Sequence, residues 1–361
     1  MGYFTNINLY NFRNFDNYSL QFSKNCNVFF GNNGSGKTNL LEAISLLSKG
    51  RGLRQDKVSN MVKKNKKEFF IKSNFINDSI FYDLLSKTNE TDTRLTKIFT
   101  VNNDKSKEGL DNIYSLMPFL YFLPETERFF ISSPSNRRNF IDRFIFTHFN
   151  NYNRLINEYN KSILERSKLL TNGKDDINWL DRIENNISKL GIKIYFLRQQ
   201  QINSLLFNLN IFFKDFNLPY TINYKINDNN FYEGIDEEFL IINLKKNRQI
   251  DGIIGGSKIG PHKSDYIFYV NNEFKVSQLS TGQQKTIILL MFLSQCKFLS
   301  EFHKKQPILL MDEVCSHLDE LNRKILLSLV ESIDIQSFMT GTTKDLFSFL
   351  STNTNFCNIT H

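Results

Sequence analysis

The chain has 361 residues, 40% hydrophobic and 23% charged, with 45 Lys and Arg against 37 Asp and Glu, a formal charge of +8. Such a composition excludes a disordered or collagen-like chain, and the length allows two or three domains with cores that need no covalent staple. Four cysteines, Cys26, Cys296, Cys315 and Cys357, lie far apart with no metal-ligand or paired spacing. Neither structural zinc nor a disulfide framework is expected, and a reducing cytoplasm fits best. The longest apolar run, Ile287 to Leu293, is seven residues, far short of the roughly 20 that span a bilayer, so it reads as a buried helix and no membrane partner is expected. The positive charge makes a polyanion the first partner to consider, nucleic acid before anionic lipid.

Tyr3 to Phe12 alternates polar and apolar residues, which predicts a strand and not a signal peptide, and Asn6 stands where a myristoylation site needs Ser or Thr. Cys26 to Phe30 predicts a strand running into a glycine-rich loop, and beyond it Leu40, Leu41, Ile44 and Leu47 recur at helical spacing until Gly50. Lys63-Lys64-Asn65-Lys66-Lys67 fits either a solvated loop or a phosphate contact. Alternating stretches at Phe69 to Phe75 and Ser79 to Leu85 predict a small antiparallel sheet. From Ser133 to Phe216 the period becomes helical. Leu155, Ile156, Tyr159, Ile163 and Leu164 mark one face and Ile183, Ile187, Leu190, Ile194 and Leu197 another, on two long antiparallel helices. Thr171-Asn172-Gly173 supplies a turn between them, and Ser133 with Pro134 an N-cap and first-turn proline. Tyr266 to Val270 and Phe274 to Val276 flank Asn271-Asn272 as a hairpin. An apolar helix, a strand Ile308 to Met311, a helix from about Asp319 and a last strand Gln336 to Thr340 complete the pattern. The expected organisation is an α/β lobe from residues 1–115 and 255–361, with a mainly helical lobe, 116–254, inserted.

Gly31-Asn32-Asn33-Gly34-Ser35-Gly36-Lys37-Thr38 fits GxxxxGK[ST] between a predicted strand and a predicted helix. Its glycines let backbone N–H groups and the helix N-terminus meet phosphates. Lys37 is then the group for the β- and γ-phosphates, and the Thr38 hydroxyl a ligand of Mg2+. Pro307 to Glu313 supplies an apolar strand, buried on both faces, that ends in two carboxylates. Ligands of doubly wound sheets bind at that end of the strands, so Asp312 is expected to reach Mg2+ and Glu313 to orient or deprotonate the attacking water.

Leu279-Ser280-Thr281-Gly282-Gln283-Gln284-Lys285 resembles the LSGGQ-type signature of the ATP-binding-cassette superfamily, with Thr281 replacing the first glycine, and Ser316-His317-Leu318-Asp319 resembles its D-loop. The resemblance implies an ABC-type P-loop ATPase head with a mixed sheet. It implies too that Ser280, Gly282, Gln283 and Asp319 serve a nucleotide bound by the other subunit, so that ATP joins two heads. Only 243 residues separate Lys37 from Ser280, too few for the long coiled-coil arms of SMC-type proteins. The last strand leads into Thr340-Gly341-Thr342-Thr343, with no counterpart of a transporter's switch histidine.

Leu9-Tyr10-Asn11-Phe12-Arg13-Asn14-Phe15, Ser133 to Asp142 with its Arg137-Arg138 pair, and Gly260-Pro261-His262-Lys263-Ser264-Asp265 resemble three further motifs, those of the RecF family of bacterial recombination mediators. That resemblance implies a cytoplasmic, ATP-dependent homodimer that binds single-stranded, gapped or junction DNA, hydrolyses ATP slowly and works with RecO and RecR in recombinational repair. Arg13 would then lie near the nucleotide, and Arg137, Arg138 and Lys263 would couple phosphate to the dimer face or to DNA. Read without it, Arg137 and Arg138 are surface arginines of a first helical turn, and His262 shapes a turn. Many family members carry Asp-Asp where Asp312-Glu313 stands here, and the γ-phosphate-sensing glutamine has no clear counterpart. Two rival functions are a transporter's ATPase subunit, which the missing histidine argues against, and a nucleotide-gated scaffold whose hydrolysis is incidental.

Overall fold

The computed structural model describes residues 2–91, 94–171, 176–216, 218, 220–228 and 234–360. Strands β1 (Tyr3–Phe4), β2 (Asn6–Phe12), β3 (Phe15–Gln21) and β4 (Cys26–Phe30) lead into helices α1 (Lys37–Ser45) and α2 (Val58–Met61). Then come β5 (Phe70–Asn77), β6 (Ile80–Thr91), β7 (Arg94–Val101), α3 (Lys107–Leu116) and β8 (Phe119–Phe122). The middle of the chain holds α4 (Pro134–Phe146), α5 (Tyr152–Thr171), α6 (Ile177–Asp215), β9 (Ile222–Asn227), α7 (Glu237–Lys246), α8 (Arg248–Ile254), β10 (Asp265–Val270) and β11 (Phe274–Lys275). It closes with α9 (Thr281–Phe302), β12 (Ile308–Met311), α10 (Glu320–Ser332), β13 (Gln336–Gly341) and β14 (Asn355–Asn358). Two compact units result, Met1–Glu127 with Ser280–His361, and Arg128–Leu279.

The first unit contains two sheets. One is wholly parallel in the order β14-β4-β13-β12-β8, and its interior strand β12, Ile308–Met311, is buried along its whole length, as an apolar run covered on both faces requires. The other is antiparallel, β3-β2-β5-β6-β7, with β1 added beside β5. Helix α1 packs on both β13 and β2, so it is buried nearly all round, Ser45 included. Its Leu40, Leu41 and Ile44 join Phe4, Phe29 and Phe338 in one core.

Both expected lobe boundaries shift, because strand pairing decides them. Phe119–Phe122, too short to read as a strand between Pro118 and Pro124, pairs in parallel with β12 from Ile308↔Phe119 to Met311↔Phe122, which carries the first unit on to Glu127. At the other boundary β10 pairs with β9, Tyr266 opposite Ile226, so residues 255–279 stay with the inserted unit. Besides β8, strands outside the sequence expectation include β3, the return arm of the first hairpin, β9, the partner of β10, and β14, which follows the expected last strand and pairs with β4.

In the second unit α5 and α6 pack together, and Tyr159, Ile183, Ile187, Leu190 and Ile194 form their seam. Leu164, expected on that face, is 63% exposed, one residue round the helix from the half-buried Ile163. Thr171 ends α5, and Asn172 and Gly173 of the expected turn lie outside the described residues. Ser133 caps α4 through the Asn136 N–H, and Asn271 and Asn272 both take the left-handed conformation that a tight hairpin needs. Two buried arginines tie the unit together. Arg166 donates to Glu184, Asp251 and the Leu244 carbonyl at 2.7 to 2.8 Å. Arg198 chelates Asp142 at 2.8 Å through two nitrogens and reaches the Pro261 carbonyl at 2.6 Å. Among the described residues no helix is long and apolar enough to cross a membrane.

His262 sits in this unit with its Nε2 3.0 Å from the Ser257 carbonyl. A carbonyl only accepts, so Nε2 carries the proton and Nδ1 accepts from the Tyr159 hydroxyl at 2.7 Å. Burial holds the ring down at about 4. An unfolded histidine titrates near 6.5, so between those values the unfolded chain binds the extra proton and stability falls as pH drops. His262→Gln keeps a donor and an acceptor but cannot titrate. Melting curves from pH 7 to pH 4 should therefore show the variant losing less stability than the parent, by up to about 3 kcal/mol at the acid end; parallel curves would refute the assignment.

Candidate functional site

Between β4 and α1 the glycine loop takes backbone angles that side chains resist: φ is 148° at Gly31, 83° at Gly34 and 103° at Gly36. A Cβ on Gly31 would stand 2.5 Å from the Ile359 carbonyl oxygen, and one on Gly36 2.5 Å from Asn14 Nδ2. Gly36 is the N-cap of α1 and offers no side-chain cap, and the first intrahelical bond runs from Leu40 N–H to Gly36 O. The N–H groups of the first turn are thus left for an anion. Ser35 Oγ is buried there without a hydrogen-bond partner. An orphaned hydroxyl, a glycine cradle and a helix start together fit a polyphosphate. Lys37 Nζ lies across the loop, donating to the carbonyls of Gly31 at 2.8 Å and Asn32 at 2.9 Å. Past the far end of α1, Lys97 Nζ donates to the Leu46 carbonyl at 3.0 Å, a cation on the negative end of the helix dipole, although burial pushes it down to about 8.

The Thr38 hydroxyl lies 3.1 and 3.0 Å from the two Asp312 oxygens. Thr340 Oγ1 donates to Asp312 Oδ1 at 2.7 Å and accepts the Glu313 N–H at 2.7 Å. Glu313 has a φ of 48°, a conformation that costs about 1–3 kcal/mol and that Thr340 pins in place. A hydroxyl and a carboxylate are hard oxygen donors and suit Mg2+, which keeps most of its waters. Thr340 escaped the sequence reading, which considered its tetrapeptide only for a missing histidine. So did Lys285. This buried lysine, in the second turn of α9, pairs with Glu127 at 2.7 Å and donates to the carbonyls of Glu313 at 3.1 Å and Ser316 at 2.7 Å. Burial pushes its ammonium down against the pull of Glu127.

The structure joins Lys37, Thr38, Asp312 and Glu313 at one edge of the parallel sheet. The signature residues lie at other helix starts. Ser280 is the exposed N-cap of α9, and its Oγ accepts the Gln283 N–H at 3.3 Å while Gln283 Oε1 lies 3.0 Å away. A Cβ on Gly282 would come 3.2 Å from the His317 carbonyl oxygen, so the signature abuts the loop after Glu313. Asp319 caps α10 through the Asn322 N–H at 2.7 Å. Arg13 differs from its expected place. Its guanidinium chelates the buried Glu42 at 2.7 and 2.8 Å and also holds Asp56 and the Asn60 carbonyl. The neighbouring Asn14 meets the loop instead, 3.4 Å from Ser35 O and 2.8 Å from the Asn39 amide. In the second unit Arg137 chelates Asp265 at 2.7 and 2.8 Å, Arg138 donates to Ser264 O at 2.7 Å, and Lys263 is exposed. Cys26, Cys296 and Cys315 are buried and free, Cys357 is half-buried and free, and no cluster of three or more metal-ligating side chains occurs among the described residues.

The family described as RecF/RecN/SMC N terminal domain matches residues 3–114. The DNA replication and repair protein RecF of Rickettsia prowazekii (strain Madrid E) is 32% identical over 352 residues, 94% of either chain. The chain belongs to the RecF family. RecF of Clostridium botulinum (strain Okra / Type B1) is likewise 32% identical, over 94% of this chain and 93% of its own. Among solved structures, the recombination mediator protein RecF-ATPrS of the RecFOR pathway superposes with a TM-score of 0.80 at 28% identity, covering 97% of this chain and 94% of its own. The Smc head domain with an extended coiled coil, from Pyrococcus furiosus, gives a TM-score of 0.56 at 16% identity, which shows a shared fold. The first unit of this RecF-family chain is accordingly an ABC-type ATPase head, and the helical lobe is its insertion.

If Thr340 orders Asp312 and Glu313, Thr340→Val should lower ATP turnover tenfold or more while ATP affinity changes less than about threefold, and Thr340→Ser should restore most of the loss. Steady-state hydrolysis beside equilibrium binding of a fluorescent ATP analogue decides it. Equal defects in the two variants would contradict the role of the hydroxyl.

Proposed function

We propose that this RecF-family chain is an ATP-dependent DNA-binding protein of replication and repair, in which bound ATP joins two copies and slow, DNA-stimulated hydrolysis parts them. The observation that carries the reading is the chain of contacts Thr38–Asp312–Thr340–Glu313 beside a glycine loop built for phosphates. Lys37 is the cation for the β- and γ-phosphates. Thr38 and Asp312 hold Mg2+, which when bound neutralises charge on the phosphate oxygens. Glu313, exposed one residue beyond Asp312, takes the proton of the attacking water.

Ser280, Gln283 and Asp319 support the dimer. Ser280 and Asp319 are exposed, and both bond within their own helix starts. Their exposure supports a role toward a nucleotide on a second copy. The charge of +8 supports DNA as the polyanion. The pathway named for the similar RecF-ATPrS protein supports RecO and RecR as partners and recombinase loading as the outcome.

Light scattering tests the dimer. With Mg-ATP and the Glu313→Gln change, which slows hydrolysis, the mass should rise from 42.5 kDa to about twice that, and Ser280→Arg should abolish the rise. Retention of a gapped duplex by the dimer should fall steeply between about 50 and 200 mM salt. A monomer under every condition would sink the ATP-joined dimer.

A further inference from the structure

The antiparallel sheet of the first unit buries one face, with Ile7, Leu9, Ile71, Phe75 and Leu84 in the core. Strand alternation and register set out what the other face presents. One row across it is Tyr10, Phe70, Lys87, and the next is Asn8, Lys72. At the far end of β5 a third row is Tyr3, Ile76, Phe81. The rings of Tyr10 and Phe70 lie 5.8 Å apart, Tyr10 is 42% exposed and Phe81 70% exposed. Aromatic groups therefore stand at both ends of the face, six residues or about 20 Å apart along β5, with Lys72 between them and Lys87 beside Phe70.

Charge on this face is unbalanced. Among the described residues Lys72 and Lys87 take part in no ion pair, and neither do Lys64, Lys66 and Lys67 of the turn that leads into β5. Within that run Lys63 pairs, with Asp16. At the outward positions of these strands Asp83 is the one carboxylate among the described residues, bonded by the Asn74 amide, and the turn adds Glu68, so the lysines outnumber the acids. Unpaired lysines interleaved with rings suit a ligand that carries both phosphates and accessible π-faces. Duplex DNA hides its bases, so the rings would gain nothing from it, whereas an unpaired strand uses both groups. Another protein's acidic face would satisfy the lysines but would leave the rings without a reason for their spacing.

We propose that the solvent face of this sheet binds single-stranded DNA, with Tyr10, Phe70 and Phe81 stacking on bases, Lys72 meeting a phosphate between them and Lys87 one beside Phe70. The proposal rests on the DNA-binding reading above and adds the surface that meets an unpaired strand.

Fluorescence anisotropy of the full chain with Mg-ATP tests it, using a labelled oligothymidylate of about 30 nucleotides and a blunt duplex of equal length. Tyr10→Ala with Phe81→Ala should weaken single-strand binding tenfold or more and duplex binding less than twofold. Lys72→Glu with Lys87→Glu, an independent pair, should also reduce the log–log salt slope for the single strand by about 0.7 for each phosphate no longer neutralised. Binding of a fluorescent ATP analogue reports that each variant retains its fold. If the parent binds single strands and neither pair of changes weakens it, or if single-strand and duplex affinities fall together, the sheet face is not the site. A parent with no affinity for either DNA would overturn the DNA-binding reading itself.

Discussion

The carboxylate of Asp312 is held at once by the hydroxyls of Thr38 and Thr340, residues 274 and 28 positions away in the chain. That meeting is possible only because β4, β13 and β12 are neighbours and run in the same direction, so that their C-terminal ends share one edge. Parallel neighbours need crossover connections, and between β4 and β12 the crossover contains most of the protein. The glycine loop, the acid pair and the last threonine are therefore assembled from both ends of the chain, and their meeting requires a long loop to close. Tight packing of α1 between the two sheets then transmits the position of the loop to the rest of the head.

What the sequence disclosed was local. The glycine loop, the apolar strand before Asp312, the capping serines and the paired asparagines of the hairpin each announce themselves within a few residues, because a cap, a turn or a buried strand is a property of its immediate neighbours. What it hid was pairing. Phe119–Phe122 is a strand because β12 lies beside it, and the stretch from 255 to 279 sides with the helical unit because β10 pairs with β9. Thr340 and Lys285 carry no motif of their own, and their roles arise from partners 27 to 31 residues away in Glu313, Asp312 and Ser316.

Arginine shows the same limit in sharper form. Arg13, Arg137 and Arg198 each chelate one carboxylate through two nitrogens, and the acids are Glu42, Asp265 and Asp142. None of these partnerships is visible in the sequence, since the acids lie 29, 128 and 56 residues away from their arginines. A buried guanidinium with a bidentate partner contributes geometry more than net stability, and removal of one member leaves the other charge unpaired in the interior. The second unit accordingly owes its internal order as much to Arg166 and Arg198 as to the seam of α5 and α6.

The ion pair between Lys285 and Glu127 has a topological consequence. Glu127 is the last residue before the chain leaves the head, and Ser280 the first on its return, less than two helical turns before Lys285. The head is thus sutured from within at the place where its sequence is interrupted. A suture of this kind makes the head indifferent to the size of what is threaded through the opening, since closure relies on groups that belong to the head alone. The fold, at 16% identity, is shared by an Smc head that carries an extended coiled coil. A head closed in this way holds an inserted lobe of 152 residues without drawing on the glycine loop or the acid pair.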